Sequence, residues 1–215
     1  AAEAIGANGL LARVGAYFHD IGKLEKPEYF VENMPEGEQN PHEELSPTMS
    51  SLIITAHPKT GAEMAEQYGL PREVRDIILE SHGSTMLKYF YDRAKQQDEE
   101  EGEMTEQSFR YRLPKPQSKE AAIVMLSDSV EGATRSVESP SPAQIKNRVH
   151  QVIMDKLQDG QLDESGLTLT DLAKLREAFV RGLTAIFHKR VPYPADEKKA
   201  EEEAAEEARE EEESA

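Results

Sequence analysis

Leu10-Leu11-Ala12-Arg13-Val14-Gly15-Ala16-Tyr17-Phe18-His19-Asp20-Ile21-Gly22-Lys23 is the stretch that decides the fold of this chain. Leu10, Leu11, Val14, Tyr17 and Phe18 recur at spacings of three and four, so residues 8–20 read as an amphipathic helix whose C-terminal end carries an imidazole and a carboxylate into the core. Both groups are metal-ligand types, and a carboxylate can bridge two ions. Gly22 permits a sharp backbone turn, and Lys23 offers a point charge to phosphate. The pattern points to metal-dependent phosphoester chemistry. Taken alone it also fits a hydrogen-bonded core histidine beside a polar helix end.

Working outward, the six histidines stand at 19, 42, 57, 82, 150 and 188. His57 ends the apolar run Leu52-Ile53-Ile54-Thr55-Ala56, and Pro58 behind it predicts a helix break. His82 ends Val74-Arg75-Asp76-Ile77-Ile78-Leu79-Glu80-Ser81, with Pro71 at the first turn and Gly83 as C-terminal cap. Asp128 lies in the apolar segment Ala121-Ala122-Ile123-Val124-Met125-Leu126-Ser127, where a carboxylate needs a partner. Each of these residues singly fits a cap or a satisfied core group. Four helices each delivering an acid or imidazole to a buried end or face is what a metal site requires. With no cysteine, thiolate zinc sites and disulfides are excluded, and nitrogen and oxygen donors favour iron, manganese or zinc.

The chain resembles the HD superfamily of metal-dependent phosphohydrolases, and within it the cytoplasmic HD domain of the seven-transmembrane-receptor family, which includes cyclic di-AMP phosphodiesterases. The similarity runs from about Gly6 to Tyr193, through the opening stretch, Asn40-Pro41-His42, Leu87-Lys88-Tyr89-Phe90-Tyr91, Asp159-Gly160-Gln161-Leu162-Asp163 and Leu167-Thr168-Leu169-Thr170-Asp171-Leu172. The resemblance implies an all-α HD-domain helical bundle. It also implies metal ligands at His19, Asp20, His57, His82 and Asp128, with Asp20 bridging two divalent ions, iron or manganese. His42 is expected beside the pocket as a substrate-binding residue outside the metal's own ligands. Two departures stand out: the family usually has a further histidine ligand on an upstream helix, and two adjacent histidines where this chain has Ser81-His82. The resemblance therefore implies a reduced donor set, in an excised cytoplasmic piece of a membrane-anchored protein.

At 215 residues the chain suits one domain, expected over 1–194, with an acidic low-complexity tail over 195–215. No apolar run reaches the roughly 20 residues of a membrane helix. The net charge of −17 argues against nucleic-acid partners while still admitting a small anionic nucleotide. Helices are predicted near 8–20, 27–33, 47–57, 59–68, 72–82, 86–97, 118–138, 142–158 and 170–189, with no convincing strand. The stripe Leu172, Leu175, Phe179, Leu183, Ile186 and Phe187 serves core packing or the face of a homodimer. Residues 98–117 carry Arg110, Arg112 and Lys115, and read as a solvated loop or as a lid over an anionic substrate.

The function expected from the resemblance is hydrolysis of a cyclic dinucleotide, cyclic di-AMP first, to a linear dinucleotide. Asp20 and Lys23 are the expected catalytic residues, and Lys23, Arg135 and His42 the substrate-binding ones. Arg135 stands two helical turns beyond Asp128, and either reaches the same pocket or pairs on the surface with Glu131. The alternatives are an HD nucleotidase for another nucleotide, or a nucleotide-sensing module that does not cleave.

Overall fold

A computed structural model describes residues 1–187 except 36, 38, 98–104 and 138. The expected 195–215 tail and His188 lie outside the described residues. Seven α-helices follow in order: α1 (Gly9–Phe18), α2 (Pro47–Gln67), α3 (Arg72–Glu80), α4 (Lys88–Gln97), α5 (Lys119–Arg135), α6 (Pro142–Gln158) and α7 (Leu169–Phe187). Short 3-10 turns fill much of the space between α1 and α2. Among the described residues there is no strand, only a single antiparallel bridge between Met86 and Arg110. The all-α expectation is therefore met.

Most helices start where the sequence places a cap. Asn8, Ser46 and Ser118 each accept a hydrogen bond from the backbone three residues on, and Ser141 closes a reciprocal capping box with Gln144. Thr168 and Asp171 do the same for α7: Asp171 N–H donates to the Thr168 hydroxyl, and Thr168 N–H to the Asp171 carboxylate. Lys119 reaches the same carboxylate at 2.9 Å, and these partners hold Asp171 down at about 2.

Helix α5 is the central element. Ala121 through Leu126 are all buried, so its first half is apolar on every side. Leu126 and Val130 pack with Ile145 and Val149 of α6 and Leu175 and Phe179 of α7. On another side Ala121 and Val124 meet Ile77 of α3 and Leu11 of α1. A separate group joins Ala62 and Ala65 of α2 to Val74 and Ile78 of α3. These contacts bring the C-terminal end of α1, the middle of α2, the residues after α3 and the middle of α5 to one place.

Two expectations are corrected. The 27–33 helix is instead two 3-10 turns, Pro27–Tyr29 and Val31–Asn33. The break expected at Pro58 does not occur: α2 runs through it for 21 residues. Proline costs a helix one backbone donor, and here the carbonyl that loses its partner, Ile54, takes a hydrogen bond from the His57 ring instead.

Gly22 is where the chain after α1 crosses α2. A Cβ there would lie 1.9 Å from the His57 carbonyl oxygen and 2.6 Å from the Gly61 nitrogen, both backbone atoms that cannot step aside. Gly22→Ala is expected to cost about 3 kcal/mol through overpacking. Gly132→Ala in α5, where an added Cβ meets nothing within 4 Å, is expected to gain about 0.5–1 kcal/mol. Urea unfolding of both variants checks the contrast, which fails if Gly22→Ala is as stable as the parent chain.

Candidate metal centre

His19 follows the last residue of α1, where the helix leaves its final carbonyls without intrahelical donors. Its Nδ1–H donates to the Ala16 carbonyl at 2.8 Å, which in the neutral ring leaves Nε2 as the lone-pair nitrogen. His57 is held in the same way, Nδ1–H donating to the Ile54 carbonyl at 2.7 Å. Both rings thus present Nε2 to the same small volume. Asp20 lies between them with its two oxygens facing different ways. Oδ1 is 3.0 Å from His57 Nε2 and 3.4 Å from His82 Nε2, while Oδ2 is 3.3 Å from His19 Nε2. Asp128 closes the far side, its Oδ1 3.6 Å from His19 Nε2.

This donor set fits a cation. His57 Nε2 and His82 Nε2 stand 3.0 Å apart, although the first carries only a lone pair. His19 Nε2 is buried between two carboxylates, yet makes no hydrogen bond. Ligand atoms of His19, Asp20 and His82 all lie within 4.8 Å of one another. The electrostatics agree. Burial opposes charge on His19, but the Asp128 and Asp20 carboxylates outweigh it and push the imidazole up to about 10. Burial likewise opposes charge on Asp20, and the three imidazoles outweigh it and hold the carboxyl far below its ordinary range. For Asp128, burial is outweighed by His19 and the carboxyl is lowered too. Two ionised carboxylates held among imidazoles call for positive charge at their centre.

The structure thus gathers His19, Asp20, His57, His82 and Asp128 into one cluster. Lys23 stands at its edge: Nζ is 2.6 Å from Asp20 Oδ2, also pairs with Glu32, and lies 5.2 Å from the Phe30 ring centroid. His42 is outside the cluster, on the wall of an adjoining cavity of about 320 Å3 that also meets Lys23, His57, His82 and Tyr111. Its Nε2–H donates to the Tyr29 carbonyl at 2.8 Å, and its Nδ1 is buried without a hydrogen-bond partner. Arg135 is not brought to the cluster; it is exposed and pairs with Glu131 at 3.2 Å. Ser81 turns away, its buried hydroxyl donating to the Ile78 carbonyl.

Residues 1–133 match the HD domain family. The chain is 49% identical over 199 residues to the cyclic-di-AMP phosphodiesterase PgpH of Bacillus subtilis, a match covering 93% of this chain and 27% of that protein. It is 45% identical over 195 residues to the PgpH of Listeria monocytogenes, covering 91% of this chain and 27% of that one. The chain thus spans about a quarter of the length of the curated relatives it matches. Among solved structures, the L. monocytogenes PgpH HD domain in complex with cyclic-di-AMP superposes with a TM-score of 0.82 at 43% identity, covering 89% of this chain and 87% of that one. The same domain in a second crystal structure gives a TM-score of 0.81 at 44% identity, covering 87% of this chain and 86% of that one.

Sequence reasoning missed the apparatus that fixes His82. The Tyr111 ring stacks on it, centroids 4.8 Å apart and planes 11° from parallel. The turn after His82 is tied from three directions. Arg110 donates to the Ser84 carbonyl at 3.0 Å and forks onto Asp159 at 2.9 and 3.1 Å. Lys156 donates to the Thr85 hydroxyl at 2.9 Å; burial lowers the Lys156 ammonium to about 8 against the pull of Asp128, Asp159 and Asp155. The fully buried Gln161 accepts from Ser84 N–H at 2.9 Å and donates to Asp159 at 2.8 Å. Over its described part, 105–117, the stretch expected as a solvated loop or a lid is tied to the turn after His82, and Arg110 is paired with Asp159. Gln161→Leu would leave the Ser84 N–H unpaired. The expected loss is about 1–3 kcal/mol in urea unfolding, with faster amide exchange at 83–86. Parent-like stability and exchange would show that the turn does not depend on Gln161.

Proposed function

The chain belongs to the HD domain family, and on that footing we propose that it is a metal-dependent phosphodiesterase that opens cyclic di-AMP to a linear dinucleotide. The observation that carries this reading is the convergence of three imidazoles and two carboxylates beside a cavity large enough for a nucleobase. The activity for which the relatives are named and the ligand in the similar crystal structure support the choice of substrate.

In this proposal His57, His82 and Asp20 would hold one divalent ion, and His19, Asp128 and Asp20 a second, iron or manganese. When bound, such ions supply charge neutralisation at phosphoryl oxygens and bring the pKa of water towards neutrality. The chain's own groups do the rest. Lys23 exchanges Glu32 for a non-bridging phosphate oxygen; its charge is secure, because Asp20 and Glu32 raise its pKa against the effect of burial. Tyr111 and Phe90 give the cavity flat apolar walls for a base, and His42 lies on the same wall. Hydrolysis adds water oxygen to phosphorus and breaks one ring P–O bond, with the proton passing to the departing sugar oxygen. With a net charge of −17 the protein repels anions generally, so attraction has to come from this site.

We further propose that the domain works as the cytoplasmic part of a membrane-anchored protein and can pair as a homodimer. Among the described residues no helix is long and apolar enough to cross a membrane.

The direct test is product analysis after incubation of the Mn-loaded chain with cyclic di-AMP and a panel of mono-, tri- and cyclic dinucleotides. Linear diadenylate as the preferred product supports the reading, and preference for another nucleotide overturns the substrate. Asp20→Ala is expected to abolish bound metal, measured by mass spectrometry of the elements, together with turnover, while helical circular dichroism persists. Lys23→Ala is expected to slow turnover by about one to two orders of magnitude at unchanged metal content, the worth of a charged hydrogen bond of roughly 1.5–3 kcal/mol.

A further inference from the structure

Pro58 sits inside α2, directly after His57. In an α-helix the carbonyl of residue 54 is the ordinary acceptor for the N–H of residue 58, and proline has none. The Ile54 carbonyl is therefore free, and His57 Nδ1–H donates to it at 2.7 Å. We propose that Pro58 is a positioning residue for the metal centre: by withholding its own donor it hands the Ile54 carbonyl to His57, which fixes the ring's tautomer and aims Nε2 at Asp20. The proposal rests on the reading of His57 as a ligand.

Two comparisons within the molecule support it. His19 obtains the same bond to a carbonyl three residues back, Ala16, because α1 ends at Phe18 and its last carbonyls are open. His57 has no helix end nearby: α2 extends from Pro47 to Gln67, and an interior carbonyl is normally claimed by the N–H four residues on. Interior carbonyls can take a side-chain donor as well, as Val124 does from the Ser127 hydroxyl in α5, but at Pro58 the competing N–H is absent and the Ile54 carbonyl is left to His57. Water cannot substitute readily, since the His57 side chain is 3% exposed. Its aromatic neighbours limit where the ring lies, Phe30 and Tyr111 meeting it edge to face at 5.5 and 6.1 Å. Such contacts do not decide which nitrogen carries the proton. The hydrogen bond to Ile54 does, and Nε2 then lies 3.0 Å from both Asp20 Oδ1 and His82 Nε2.

The test uses Pro58→Ala in the full chain, and the expected effects have opposite signs. The urea midpoint should rise, because proline is the poorest residue for a helix interior. Affinity for Mn(II), by titration calorimetry, should fall by about 10–100-fold, as for loss of an orienting partner around a metal ligand. In the metal-free protein, 15N shifts of the His57 ring should move from the Nδ1–H tautomer towards a mixture. A second variant separates the missing donor from the proline ring: lactic acid at position 58, an ester with neither ring nor N–H, should recover most of the affinity. Unchanged Mn(II) affinity and an unchanged tautomer in Pro58→Ala overturn the proposal, and so does an ester variant that binds as poorly as Pro58→Ala. A parent chain that binds no Mn(II) overturns the metal reading itself, while the ring shifts, read without metal, still decide whether Pro58 sets the tautomer.

Discussion

The Asp20 carboxylate, set among the imidazoles of His19, His57 and His82, is the contact on which the rest of the structure depends. A part-buried carboxylate is costly unless it is paired, and its partners here come from three separate places in the chain. Helix α1 delivers His19 at its end, α2 delivers His57 at its middle, and His82 follows α3; α5 adds Asp128. The packing of α1, α2, α3 and α5 is therefore also the assembly of the site. Gly22 shows how tight that coupling is, because the chain leaving Asp20 passes against the backbone of His57 itself.

Two ways of orienting an imidazole coexist in the cluster. His19 and His57 use backbone carbonyls released by a helix end and by a proline. His82 instead lies against the Tyr111 face, with the turn beyond it anchored by Arg110, Lys156 and Gln161. The second arrangement draws on residues up to 77 positions away in sequence, so the site is rigid only when the C-terminal half of the domain is in place. On the cavity side, Lys23 is already paired with Asp20 and Glu32.

Much of this was legible in the residues. Periodicity places α1, α3 and α6 within a residue or two, because one-sided burial is a local property. The five clustered groups stood out as ligand types at apolar helix ends or faces, and the resemblance supplied their common purpose. Pro58 misled because the rule that proline stops a helix counts only the lost backbone bond. The replacement donor is a side chain one residue away. Tyr111 and Gln161 could not be found by any local rule, since their partners His82 and Ser84 are remote in sequence. The pairing of Arg110 with Asp159 is hidden for the same reason, since the two lie 49 residues apart.

We propose that the Asp20 carboxylate divides the cluster into two cation positions. Anomalous diffraction at the manganese edge from crystals of this chain grown with Mn(II) tests it most directly. Two peaks are predicted on either side of Asp20, one shared with His57 and His82 and the other with His19 and Asp128. A single peak, or manganese bound only away from Asp20, would contradict it.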